Sequence, residues 1–141
     1  MEVTQEQIAS VLSKHDLRNT EKRRNILRLF LANNHALSTK IIEENLNKNI
    51  DRVTLYRLLN SFEEHGLIHK VVNQKNETFY AKCNSCHLNH KDEHLHFHCN
   101  NCNKVYCLDQ IDTSKINIPK DFSYQSMTLD IYGTCKSCNN G

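Results

Sequence analysis

The stretch HLHFHCNNC, residues 94–102, places three histidines and two cysteines within nine residues. Imidazole and thiolate are the usual ligands of zinc and related divalent cations, so metal binding is the chemistry these residues suggest first. In an extended strand successive side chains point to opposite faces. His94, His96 and His98 would share one face, with Leu95, Phe97 and Cys99 on the other. One metal cannot easily draw on both faces, so the pattern predicts two sites, back to back on one strand.

The sulfur side has a clear partner. Cys99 and Cys102 form one CxxC knuckle, and Cys135 and Cys138 form another, with 32 residues between them. A CxxC turn presents two thiolates to one tetrahedral ion, and two such turns complete a closed four-sulfur zinc centre. With no open coordination position, that zinc is structural and not catalytic. The gap is longer than in a simple zinc ribbon, so a small fold must lie between the knuckles. KVYCLD and SMTLDIYG read as strands, with TSKINIP as a short helix or turn between them. The histidine side needs further ligands, and Cys83, Cys86, His87, His90, Asp92 and Glu93 are nearby in sequence. His69 is another, placed where the first half of the chain could meet the second.

At 141 residues, with 38% apolar and 24% charged side chains, the chain suits one medium domain or two small ones. No apolar run approaches the roughly 20 residues needed to span a bilayer. The N-terminus MEVTQEQIAS has no basic stretch followed by an apolar core, so a cytosolic protein without a secretory signal is expected. Seven cysteines in such a chain favour metal binding over disulfides. The net charge of +2 hides an asymmetry: residues 1–82 carry 13 Lys+Arg against 10 Asp+Glu, and residues 83–141 carry 5 against 6. Every cysteine lies in the second part, which sets an expected boundary at Cys83.

The elements that position these ligands begin with four helical patterns in residues 1–66. Thr4, Thr20 and Ser38 or Thr39 are the expected N-caps of the first three. In the fourth, DRVTLYRLLNSFEEHG, Asp51 is the expected N-cap and Gly66 the C′ residue. Leu55, Leu58, Leu59 and Phe62 form its core-facing stripe. Its other face carries Arg52, Thr54, Tyr56, Arg57 and Asn60, which have the hydrogen-bonding character that reads base edges and phosphates. Such a face is often merely solvated. The segment RNTEKRRNILR adds Arg18, Lys22, Arg23, Arg24 and Arg28 against the single acid Glu21, a footprint suited to a nucleic-acid backbone. After Gly66, LIHKVV and TFYAK alternate about NQKN as a β-hairpin. Helices followed by a hairpin predict a winged helix–turn–helix whose fourth helix enters the major groove.

Three segments then carry a family resemblance: RVTLYRLLNSFEEHGLI, HLHFHCNNCNKVYCLD and IYGTCKSC. The chain resembles, over nearly its whole length, the ferric uptake regulator (Fur) superfamily of metal-dependent repressors. The resemblance implies an α+β homodimer: a winged helix over residues 1–82 that binds a double-stranded operator, a hinge over 83–93, and a small α/β dimerisation domain over 94–141. It implies one structural zinc per subunit on Cys99, Cys102, Cys135 and Cys138. It implies DNA contacts from Arg18, Tyr56 and Arg57, to which the polar face of the fourth helix and the basic segment add Lys22, Arg52 and Thr54. It also implies a regulatory metal at the hinge that fixes the DNA-competent arrangement. The local pattern is most similar to the zinc uptake regulator (Zur) branch, which implies His69, Cys83, His94 and His96 as regulatory ligands and zinc as the sensed metal, with iron or manganese as other candidates.

Some positions depart from the pattern. Cys107 stands where iron and peroxide sensors carry an acid, and Tyr124-Gln125-Ser126 stands where many members have a histidine. CNSCHLNHKDE is longer than the usual hinge, and Cys86, His87 and His90 offer an alternative ligand set. His35 lies near a hinge-ligand position of iron and peroxide sensors. Two further readings compete with a zinc-sensing repressor. One is an iron- or peroxide-sensing regulator. The other is a thiol redox enzyme using Cys83 and Cys86, although the chain lacks a thioredoxin-like βαβ pattern around them. A zinc hydrolase would need an open zinc and a general base, and there is no HExxH and no HxE paired with PCxxC.

Overall fold

The structure is a computed structural model that describes residues 2–46, 50–82, 95–108, 115–125 and 127–139. Its elements run α1 (Gln5–Lys14), α2 (Glu21–Ala32), β1 (Leu37–Ser38), α3 (Thr39–Asn45), α4 (Arg52–Glu64), β2 (Ile68–Val72), β3 (Thr78–Lys82), β4 (Leu95–Cys99), β5 (Val105–Leu108), β6 (Leu129–Gly133) and α5 (Lys136–Asn139).

Each of the four long-range helices starts at a side chain that accepts from its own first turn. Thr4 accepts from the Gln7 amide and Gln7 returns the bond in a capping box. Thr20 caps α2, Ser38 caps α3, and Asp51 caps α4 by accepting from the Thr54 amide at 2.7 Å. Those bonds satisfy amides that a helix start leaves orphaned. The α4 end is equally defined. Gly66 takes φ 74°, Leu67 N–H bonds Phe62 O at 2.9 Å and Gly66 N–H bonds Glu63 O at 3.0 Å, a Schellman stop. A side chain at Gly66 would meet the cost of left-handed backbone.

That stop turns the chain directly into the wing. β2 and β3 pair antiparallel with Ile68 opposite Lys82 and His69 opposite Ala81, and β1 adds to the far edge of β3. Ile8, Leu12, Ile26, Leu27, Ile42, Leu59 and Phe62 are all fully buried in one core with Leu55, Leu67, Ile68 and Tyr80. Burying each large aliphatic or aromatic side chain contributes about 1.5–3 kcal/mol. This is the winged helix expected from periodicity.

The second unit is a three-stranded sheet in the order β5-β4-β6, with β5 antiparallel and β6 parallel to the central β4. Its pairings put His96 opposite both Cys107 and Asp130, and His98 opposite Val105 and Tyr132. One face of the sheet therefore carries His96, His98, Val105, Cys107, Asp130 and Tyr132. This face meets the wing. Val105 packs with Ala36, Val71, Phe79 and Ala81, and the Ala36 amide donates to Val105 O at 2.6 Å. The α+β class is as expected. Of TSKINIP, expected as a short helix or turn, Thr113 and Ser114 lie outside the described residues, and at its end a turn over Pro119–Phe122 is closed by a backbone bond.

Candidate metal centres and the DNA-facing surface

β4 ends at Cys99 as the chain turns through Asn100–Asn103, with Asn103 at φ 62° and its amide bonded to Cys99 O. That tight turn brings Cys102 back beside Cys99. The second knuckle follows β6, which lies parallel to β4 with Gly133 opposite Cys99, so both knuckles emerge at the same sheet end. Gly133 matters here: a Cβ at this position would come within 3.3 Å of the Phe97 ring.

The four sulfurs converge. Cys99 Sγ lies 3.8 Å from Cys138 Sγ, and Cys102 Sγ lies 3.7 Å from Cys135 Sγ. A tetrahedron of thiolates at the usual zinc–sulfur distance has edges of about 3.8 Å. Disulfide sulfurs would sit at about 2.05 Å. The donor set therefore fits a closed zinc centre. Its electrostatics agree. The Cys102 amide, followed by the Cys135 and Asn101 amides, lowers the Cys99 thiol to about 6 against the opposing effect of burial. For Cys138 the Asn101 side chain pulls downward, but the neighbouring Cys135 thiol, burial and the other two thiols push it up to about 11. Cys99 and Cys138 divide in this way because clustered thiolates repel one another in the absence of a cation. A divalent ion removes that conflict. Tyr106 donates its hydroxyl toward Cys135 Sγ, and burial first and that contact second push its own ionisation up to about 12, so it stays a neutral donor.

A second group of donors lies at the junction between wing and sheet. The atoms of His69, His96 and Cys107 all fall within 4.8 Å of one another. His69 Nε2 and His96 Nε2 are 3.0 Å apart, with ring centroids 5.1 Å apart. Two nitrogens bound to one zinc lie about 3.3 Å apart, so this spacing is close to a metal-holding one. His96 is 6% exposed. Two imidazole nitrogens this close share either a proton or a cation.

Within HLHFHCNNC, His96 lies in the junction group of donors and Cys99 in the sulfur group. His98 joins neither. Its Nε2 bonds Asp130 Oδ1 at 2.7 Å, and its ring stacks on Tyr132 at 4.5 Å. Of the expected regulatory set, His69 and His96 come together, while Cys83 and His94 lie outside the described residues, as do Cys86, His87 and His90. Cys107 was not in that set, and the structure adds it. The missed signal was β4–β5 register: pairing places Cys107 directly across from His96, which no spacing within either strand reveals. His35 is not in the group. Its Nδ1 meets Ala36 O and its ring meets Tyr106 edge-on.

On α4, Tyr56, Arg57 and Asn60 are exposed on the face opposite the core. Arg18 and Lys22 are exposed, and both Lys22 and Arg57 are near enough to help hold the Asp51 carboxyl below its usual range, after the larger effect of the Thr54 bonds. Two expected contacts have other occupations. Arg52 pairs with Glu43 at 3.3 Å, and the Thr54 hydroxyl donates to Asp51 at 2.9 Å. Val53 on the same helix is an apolar side chain left 62% exposed.

The sequence profile of the Ferric uptake regulator family matches residues 14–132. The chain belongs to the ferric uptake regulator family. As a member it is a metal-responsive, DNA-binding transcriptional regulator and not an enzyme, which sets aside the thiol redox reading of Cys83 and Cys86. The ferric uptake regulation protein of Staphylococcus aureus is 27% identical over 133 residues, covering 92% of this chain and 94% of that protein. Among solved family structures, holo XcZur superposes with a TM-score of 0.66 at 21% identity, over 94% of each chain. A zinc uptake regulator complexed with zinc and DNA superposes with a TM-score of 0.64 at 21% identity, over 96% of this chain and 92% of that one. No helix of the described residues is long and apolar enough to cross a membrane.

Proposed function

We propose that this family member is a zinc-sensing repressor of metal uptake genes, acting in the cytoplasm as a homodimer on a palindromic operator. In this reading residues 1–82 bind DNA, 83–93 form the hinge, and 94–141 dimerise and bind metal. Arg57, Tyr56, Arg18 and Lys22 contact the duplex, with Arg52 and Thr54 released or retained at its edge. Cys99, Cys102, Cys135 and Cys138 hold a structural zinc in each subunit.

The observation that carries the regulatory part is the convergence of His69, from the wing, with His96, from the second sheet. A cation held by both ties the two units together. It favours the arrangement in which both ligands reach it, by its differential affinity and no more. Cys83 or His94 completes the coordination in this proposal. Support for zinc comes from the sulfur available at the site and from the likeness to zinc uptake regulators. The curated Staphylococcus relatives favour a second reading, iron sensing.

The test uses the His96→Ala variant. Zinc per protomer and operator binding are measured at buffered free zinc, with Fe(II) compared anaerobically. The proposal expects His96→Ala to keep the structural zinc, lose one zinc per protomer and lose zinc-dependent binding. Activation of the wild type by Fe(II) well below the zinc threshold would favour the iron reading.

A further inference from the structure

We propose that Cys107 is a ligand of the junction metal and the residue that sets its preference for zinc over Mn(II). This rests on the regulatory reading of His69 and His96 and adds to it a third ligand and the basis of selectivity.

The placement begins in the ladder. Cys107 pairs with His96 across β4 and β5. Directly opposed residues of an antiparallel pair have Cβ atoms about 4.5–5.5 Å apart on the same face, a span that one cation can bridge. The alternation of β5 separates Cys107 from the sulfur centre. Tyr106 points to Cys135, so its neighbour Cys107 points the other way, to the wing. Cys107 is therefore not a spare ligand of the four-cysteine site. It shares its face with Val105, which packs among Ala36, Val71, Phe79 and Ala81. That apolar cluster lies alongside the junction, with Ala81 opposite His69 in the wing and Val105 two residues from Cys107.

The donor atoms already lie near coordinating positions. All three are within 4.8 Å of one another. Nitrogen and sulfur on one tetrahedral zinc lie about 3.6 Å apart, so binding needs only a modest inward adjustment of Cys107. The chemistry then follows from donor type. A thiolate favours soft and borderline ions, whereas Mn(II) favours carboxylate, carbonyl and water oxygen. His69 and His96 alone discriminate weakly, because imidazole suits several of these metals. Exchanging one sulfur for a carboxylate oxygen of similar reach would remove the main reason for the site to prefer zinc.

The experiment compares wild type, Cys107→Asp, Cys107→Ser and His96→Ala, each as the full chain with its structural zinc. Affinities for Zn(II) and Mn(II) at the second site are measured by competition with a chelating dye, and Co(II) is added to read the thiolate-to-cobalt charge-transfer band. Cys107→Asp should lower the zinc-over-manganese affinity ratio by at least about tenfold, the least expected from losing even an outer partner of a metal ligand. Both Cys107 variants should show a weaker charge-transfer band than wild type. If Cys107→Asp disturbs folding, Cys107→Ser keeps the side-chain shape and should lose zinc affinity by a similar factor. An unchanged metal ratio, or an unchanged cobalt band, in a variant that retains its structural zinc overturns the proposal. When His96→Ala meanwhile loses the second metal, only the role of Cys107 falls. When His96→Ala keeps that metal and its DNA response, the regulatory reading falls and this inference falls with it.

Discussion

His69→Ala should leave a protein that still binds a second metal weakly but no longer responds to it. Among the described residues, His69 is the one junction donor supplied by the winged helix, while His96 and Cys107 both sit on the second sheet. Without His69 the described donors that remain, His96 and Cys107, move together. Whatever cation they hold is bound equally well whether or not the wing is docked, and such a ligand shifts nothing however tightly it binds. The magnitude can be bounded. Losing a partner of a bound metal costs about 10–100-fold in affinity even when that partner is not a direct ligand. Each tenfold is about 1.4 kcal/mol, so the metal should supply at least that much bias toward docking in the wild type. The metal-independent contacts survive the change. The Ala36–Val105 backbone bond contributes about 0.5–1.5 kcal/mol, and the apolar cluster around Val105 remains. Metal-free His69→Ala should therefore bind operator as metal-free wild type does. The assay is fluorescence anisotropy on a duplex selected with the metal-loaded protein, with free zinc buffered. Wild type should tighten at least about tenfold from low to saturating zinc, and His69→Ala should not tighten at all. A zinc response in His69→Ala equal to that of wild type would refute the reasoning.

Other changes separate the remaining parts. Cys135→Ser should lose the structural zinc and with it the dimer or the fold, measured by metal content and sedimentation, because a site absent from the unfolded chain adds its binding energy to folding. Arg57→Ala should cost about 1–3 kcal/mol on operator DNA and little on random DNA, whereas Lys22→Ala should weaken both alike and lower the salt slope by about one. Phe62→Ala, in the fully buried core, should lower stability by about 3–5 kcal/mol in urea unfolding of the winged helix.

Much of this was legible in the sequence because it rests on local rules. Thr4, Thr20, Ser38 and Asp51 are caps whose partners lie three residues away, and Gly66 marks a stop that only its own backbone requires. The paired CxxC knuckles carry their chemistry in their spacing. The junction group was half legible. His69 and His96 are 27 residues apart, and the hairpin position of His69 makes it one candidate among several that only the resemblance to known regulators singles out. Cys107 required the β4–β5 register, a long-range pairing that no local pattern encodes. His98 shows the opposite case. It has the same alternation as His96, yet the parallel partner β6 supplies Asp130 and Tyr132, which occupy it as a structural residue. The occupation of Arg52 by Glu43 likewise depends on how α3 sits against α4, and a helical wheel of α4 alone cannot show it.

The central claim is that a second metal per protomer, distinct from the one on the four cysteines, switches DNA binding. The most direct measurement follows zinc per protomer and operator occupancy together in one titration of buffered free zinc. The account predicts that protein holding one zinc per protomer binds operator weakly and that operator binding rises in step with the second. Full operator binding at one zinc per protomer, with no change as further zinc is added, would contradict it.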